Sequence, residues 1–168
     1  AYLRGETCGS IFPNFKLIAD VCRKKLPFGI MQVGKAFRNE IAPREFLFRV
    51  REFEQLEIEY FFNPNAKFDL LAEEHLSTKL QFLSAEAQDS GSEEMKEVTI
   101  RELIDSKKMM GIHGYWMATM LRLAQEELGL SYKKLRVREH VKTELSHYSA
   151  GTFDIDYKYP QGFKEMLG

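Results

Sequence analysis

The chain is poor in the residues that brace small secreted domains. Its 168 residues include 2 cysteines, Cys8 and Cys22, too few for a disulfide framework, and both read as reduced thiols of a cytoplasmic protein. No apolar run is long enough to span a bilayer and the opening residues do not read as a signal peptide, so no membrane association is expected. Charge of one sign is not in excess either. Lys+Arg 24 against Asp+Glu 25 leaves a net charge of -1, so no global field draws in nucleic acid and any such contact must come from local patches. No His/Cys cluster has zinc spacing: His140 and His147 are too far apart for a helical ligand pair, and His75 reads as a partly buried helix residue. The length supports one domain that buries roughly 70% of its unfolded surface.

The most informative stretch is Gly34 to Phe62, GKAFRNEIAPREFLFRVREFEQLEIEYFF. It reads as two antiparallel strands joined by a basic loop carrying Pro43 and Arg44. The first strand is expected over Phe28 to Asn39, with Arg38 and Glu40 two apart and leaving one face of the pleat. The returning strand then alternates Arg49, Arg51, Phe53, Gln55 and Glu57 against Val50, Glu52, Glu54, Leu56 and Ile58. An arginine can fork onto a phosphate, and a neighbouring carboxylate can accept a base's amino group or hold a metal. An aromatic side chain between arginines can stack on a base. The bland alternative for Arg38 and Glu40 is a cross-strand ion pair, which contributes little to stability.

The segment FRNE, with its loop and RVREFEQLE, resembles motif 2 of the class II aminoacyl-tRNA synthetases, and specifically that of the glycyl-tRNA synthetases. YLRGETCGSIFPNF resembles that family's Arg-Pro-Glu-Thr stretch, and KLRVREHVKTELSHYSAGTFDIDYKYPQGFKEMLG the segment leading to its Trp-Lys-Glu-Leu strand. The resemblance covers about 1–63 and 113–168. It implies an ATP site of Arg38, Asn39, Glu40, Arg49, Val50, Phe53, Glu165 and Met166, with Arg38 as the catalytic arginine on the α-phosphate. Phe53 would stack on adenine and Glu40 would read its amino group. It also implies a glycine site of Glu6, Gln55 and Glu57, with the two glutamates around the ammonium, and Mg2+ held through Glu165. Expected partners are glycine, ATP and tRNA(Gly), with a homodimer for a full-length enzyme. The bland alternatives are a capping or solvated role for Glu6 and a surface ion pair with Arg51 for Glu57.

Elsewhere the pattern predicts an α+β fold: a mostly antiparallel, class II synthetase-like sheet flanked by helices, with a helical insertion. The expected division is 1–63 as core with motif 2, 64–112 as insertion, and 113–168 as return to the core. Ile11, Phe12, Phe15, Ile18, Ala19 and Cys22 mark a first helix, capped by Thr7 or Asn14, with Arg23, Lys24 and Lys25 in its last turn. Phe68 to Leu83 reads as an amphipathic helix. Val98 to Ile100 suggests a short strand, with Thr99 capping the helix that follows. GYWMATMLRLAQEELGL is a helix closed by Gly129. Tyr132 to Glu139 suggests a strand with one wet face, and Phe153 to Tyr159 a strand with an acidic face. Asp154 and Asp156 are read there as structural or solvent-facing.

The family's motif 1, motif 3 and anticodon-binding domain are not found, so the reading is an incomplete catalytic core. Gly5 stands where the family has proline, Cys8-Gly9-Ser10 replaces Ala-Gln-Gly, and Glu54 replaces a threonine seen in part of the family. A non-catalytic nucleic-acid-binding or accessory module is the competing reading. The intact set of Glu6, Arg38, Glu40, Arg49, Phe53 and Glu57 favours the ligase.

Overall fold

A computed structural model describes residues 2–45 and 47–168. They divide into two compact units, 1–67 and 68–168.

The first unit is a helix laid on a hairpin. Helix α1 runs Cys8–Val21, strand β1 Phe28–Phe37 and strand β2 Glu52–Phe61. Burial alternates along β1 from Phe28 to Ala36 and along β2 from Glu52 to Glu57. The inward face sets Ile30 opposite Glu59, Gln32 opposite Glu57, Gly34 opposite Gln55 and Ala36 opposite Phe53. Ile11 is buried under α1, and Phe15 packs on Phe28 and Phe61 at ring-centroid distances of 5.4 and 4.4 Å. Met31, Val33 and Leu56 stand exposed on the other face.

Three local expectations are corrected here. β1 ends at Phe37, so Arg38 and Glu40 lie beyond the strand. The Arg38 N–H still reaches Arg51 O at 3.0 Å, but the Glu40 N–H turns back onto Arg38 O at 2.9 Å, which breaks the period of two. Arg49 and Arg51 also precede β2; Arg49 forms an isolated bridge with Arg44 inside the loop. Finally, α1 ends at Val21. Arg23, Lys24 and Lys25 follow the helix, and Arg23 adopts φ 50°, a conformation that cannot continue it.

The second unit is an α+β body around a five-stranded mixed sheet in the order β4-β3-β5-β6-β7. Its strands are β3 Lys79–Leu83, β4 Lys96–Thr99, β5 Leu135–Glu139, β6 Phe153–Tyr159 and β7 Gly162–Leu167. Only the β3–β5 pairing is parallel. The helix expected over 68–83 is absent: α2 spans only Glu73–Leu76, and Lys79–Leu83 is a strand. Leu80 and Phe82, both buried, supply a period-two signal that the tertiary context selects over the helical one. His75 caps the start of α2, its Nδ1 accepting from Ala72 N–H at 3.0 Å. Between β3 and β4 lies α3, Ala85–Asp89, and after β4 comes α4, Ile100–Asp105.

Thr99 caps α4 as expected, its hydroxyl accepting from Glu102 N–H at 3.2 Å. Helix α5, Gly111–Arg122, continues as a π-turn over Leu123–Glu127, and Gly129 follows at φ 66°. Met117, Ala118, Leu121 and Ala124 pack with Leu80, Ile100, Val137 and Ile155 as the core of this unit. No helix among the described residues is long and apolar enough to cross a membrane.

Candidate active site

The inward face of β2 carries Phe53, Gln55, Glu57 and Glu59 in register, because side chains two apart share a face of the pleat. Glu57 is the best-anchored of them. Its Oε2 accepts from the backbone N–H of Thr7 at 2.7 Å and of Cys8 at 2.6 Å, and from the Thr7 hydroxyl. A carboxylate from β2 therefore satisfies two of the orphan donors at the start of α1, where negative charge is favoured by the helix dipole. Burial alone would raise the Glu57 pKa. The hydrogen bonds from Thr7, Cys8 and Gln55 outweigh burial and hold it below the ordinary 4.5. Thr7 is the cap residue by position but does not cap with its own side chain; its hydroxyl is committed to Glu57.

The expected alternative, an ion pair between Glu57 and Arg51, does not form. Arg51 instead donates from Nε to Glu40 O at 2.7 Å and from Nη2 to Ile41 O at 2.5 Å, tying down the start of the loop.

Glu6 is exposed and converges with Cys8 and Glu57, their potential ligand atoms lying within 4.8 Å of one another. The pocket is strongly anionic. The Cys8 thiol is pushed up to about 11 by burial, then by a hydrogen bond to Glu6 and the charges of Glu57, Glu6 and Glu59. Glu59 is pushed up by burial, then by Glu57 and Glu6. Carboxylate charges that push up a neighbouring thiol and a neighbouring acid are relieved by a cation placed among them. Sequence reasoning missed Thr7, Cys8, Glu59 and Gln32 as members of this pocket. Glu59 was accessible to it, standing two residues beyond Glu57 on the same face.

At the other end of β2, Arg38 lies over the Phe53 ring with its guanidinium carbon 5.2 Å from the centroid. Planar cations and purine bases favour the same aromatic face, so this contact marks the ring as a stacking platform. Asn39 and Arg49 are exposed, and Val50 is half-buried. Glu40 is also half-buried and sits 3.9 Å from Arg44, so the ion pair formed is with the loop and not with Arg38. Glu54 is exposed, turned away from the pocket as strict alternation requires. A Cβ at Gly5 would lie no closer than 3.8 Å to Phe37 O, so the absence of proline there frees no buried space.

Glu165 and Met166 belong to β7 in the second unit. The Glu165 pKa is raised, first by desolvation and then by the nearby Asp154 and Asp156 carboxylates, with His140 and Arg138 opposing. Asp154 and Asp156 are not solvent-facing: they are 2% and 4% exposed. Asp156 accepts from Arg136 Nε at 2.7 Å. Asp154 accepts from Arg138 Nη2 at 2.7 Å and pairs with His140 Nε2 at 2.7 Å. The expected wet face of β5 is thus half-buried and neutralised by its neighbour strand. Both aspartates are thus engaged by arginines.

No protein-family model matches the chain. Over its whole length it is similar to one segment of curated glycine–tRNA ligases. It is 41% identical over 168 residues to the enzyme of Thermus thermophilus, covering 100% of this chain and 25% of that protein. The Pyrococcus abyssi enzyme is 39% identical over 173 residues, covering 100% of this chain and 29% of that protein. The Mesoplasma florum enzyme is 38% identical over 167 residues, covering 99% and 28%. The chain therefore spans between a quarter and a third of the length of these relatives.

Proposed function

We propose that this chain is the part of a glycine–tRNA ligase that grips ATP and glycine, acting within a larger catalytic assembly. The observation that carries the reading is the inward face of β2. It presents an arginine-covered aromatic ring at one end and an anionic pocket, built around a helix-anchored Glu57, at the other. A nucleotide base and an ammonium group are the chemistries that these two ends suit, and both occur in the substrates of adenylate formation. The similarity to glycine–tRNA ligases along the full chain supports the same choice.

In this reading Glu57 and Glu6 hold the glycine ammonium, with Gln55 and Glu59 beside them. A glycine carboxylate oxygen attacks the α-phosphorus of ATP; the bond to pyrophosphate breaks and glycyl-adenylate remains. Arg38 leaves the Phe53 face to neutralise the α-phosphate as adenine takes its place, and Arg49 meets the outer phosphates from the loop. Asn39, Glu40 and Val50 line the base. A terminal ribose hydroxyl of tRNA(Gly) then attacks the acyl carbon, releasing AMP. The chain needs no nucleophile of its own, since positioning and charge stabilisation carry both steps. On the second unit, Glu165, with Met166 beside it, would hold Mg2+, an ion that would supply positive charge to phosphate oxygens.

The test is ATP·Mg2+ binding by this chain, measured calorimetrically, with and without Arg38→Ala. Loss of one charged phosphate contact costs about 1.5–3 kcal/mol, so affinity should fall by at least about tenfold. Equal binding by the variant would remove the assignment.

A further inference from the structure

The N-terminal arm that carries Glu6 is tied to β1 through Arg4. Arg4 donates from Nε to Lys35 O at 2.7 Å, while its own carbonyl accepts from Phe37 N–H at 2.9 Å. Its guanidinium lies over Gly34. A Cβ built there would collide with Arg4 Nη2 and stand 3.3 Å from Arg4 Cζ, so a side chain at position 34 displaces the end of the arginine. Gly34 faces Gln55 across the hairpin, and the missing side chain leaves the space that Arg4 fills. Glycine weakens a strand interior, and it persists there when another group must approach closely.

The contact continues inward. Assigned by its neighbours, the Gln32 amide turns its nitrogen to Thr7 O at 3.2 Å and Ser10 Oγ at 2.6 Å, and its oxygen then accepts from Arg4 Nη1 at 2.9 Å. Placing the oxygen against the Thr7 carbonyl instead would oppose two acceptors. Thr7 and Cys8 then donate to Glu57. A connected path thus runs from the gap at Gly34 through Arg4, Gln32 and Thr7 to the carboxylate of the anionic pocket.

We infer that Arg4, seated in the space left by Gly34, is a positioning residue that holds the Glu6–Thr7–Cys8 arm against Gln32 and Glu57 and so builds the ammonium pocket. The ammonium part of this statement rests on the proposed function; the positioning part does not. Arg4 touches no reacting atom and acts only through Gln32 and the arm. Gly34 acts only through Arg4.

Cys8 is a built-in reporter, because its thiol sits among the carboxylates that the arm gathers. The experiment compares the parent chain with Gly34→Ala, Arg4→Met and the double variant. Iodoacetamide labelling of Cys8 is followed by peptide mass spectrometry, with exposed Cys22 as internal control. Alanine suits a strand better than glycine, so Gly34→Ala folds even if Arg4→Met is weakened. Each single variant should label Cys8 about tenfold faster as the acids move away, with Cys22 unchanged. The double variant should be no faster than Arg4→Met alone, since both changes break one path. Titration with glycine and with ATP·Mg2+ should show weaker glycine binding and unchanged ATP binding in every variant. An unchanged Cys8 rate in Gly34→Ala, or a double-variant rate equal to the product of the single effects, overturns the inference. Non-additive labelling with no glycine binding by any chain, parent included, supports the positioning role and refutes the ammonium assignment.

Discussion

Replacing Glu57 with glutamine separates the two roles that the structure assigns to one carboxylate. Glutamine preserves shape and one acceptor oxygen but removes the charge that receives Thr7 N–H, Cys8 N–H and the Thr7 hydroxyl. Hydrogen bonds to a charged group contribute about 1.5–3 kcal/mol, against about 1 kcal/mol for neutral ones. Loss of the favourable charge at the start of α1 adds about 0.3–1 kcal/mol. Summed over the three bonds and the helix start, the loss is at least about 2 kcal/mol for the first unit, or a fall of about 8–16 °C in a unit of this size.

The sign of the pH dependence follows from the depressed Glu57 pKa. Its stabilisation is fully present above the ordinary carboxylate value and is lost as pH falls through the lower folded value. Parent and Glu57→Gln should therefore differ in thermal unfolding at pH 7, followed by circular dichroism, and converge below about pH 3. An unchanged melting temperature at pH 7, or a gap that persists in acid, would refute the capping argument. Glycine reads the second role. In a complete ligase containing this segment, Glu57→Gln should lower kcat/KM for glycine strongly while ATP affinity stays nearly intact. A parallel fall in both, or in neither, leaves Glu57 as a helix anchor only.

Other expectations follow from the same geometry. Asp154→Asn leaves Arg138 without its buried partner, and breaking such a pair costs about 3–5 kcal/mol; chemical denaturation of the second unit should show it, and a shift below about 1 kcal/mol would contradict the burial assigned. Cys8, with its thiol pushed up to about 11 from 9.0, should alkylate on the order of a hundredfold more slowly at neutral pH than a free thiol of ordinary pKa; rapid labelling in the folded chain would dismiss the anionic pocket. By itself the chain should show little glycine-dependent exchange of pyrophosphate into ATP, because it spans only part of its relatives' length. Robust exchange by a preparation free of host ligase would mark it as self-sufficient.

Periodicity alone placed Phe53, Gln55 and Glu57 on one face and turned Glu54 outward, because a pleated strand has a period that a short sequence displays in full. It likewise disclosed α5, its glycine stop and the Thr99 cap, all of which depend on neighbours within a few residues. Composition excluded a disulfide framework, and the two cysteines are indeed free. The ends of the motif strands were not legible, since Arg38 and Glu40 leave the strand through a backbone turn that no side-chain pattern announces. Nor was the partner of Glu57: its donors lie about fifty positions away, and only packing of α1 on the hairpin brings helix N–H groups to a β2 carboxylate. Lys79–Leu83 carried both helical and strand patterns, and pairing with β4 and β5 selected the strand. For Asp154 and Asp156 the sequence left a structural and a solvent-facing reading open, because it shows charge but not its neutralisation. The arginines of β5 stand opposite them across the sheet, and that register, a property of the folded chain alone, is what allows two carboxylates to be buried.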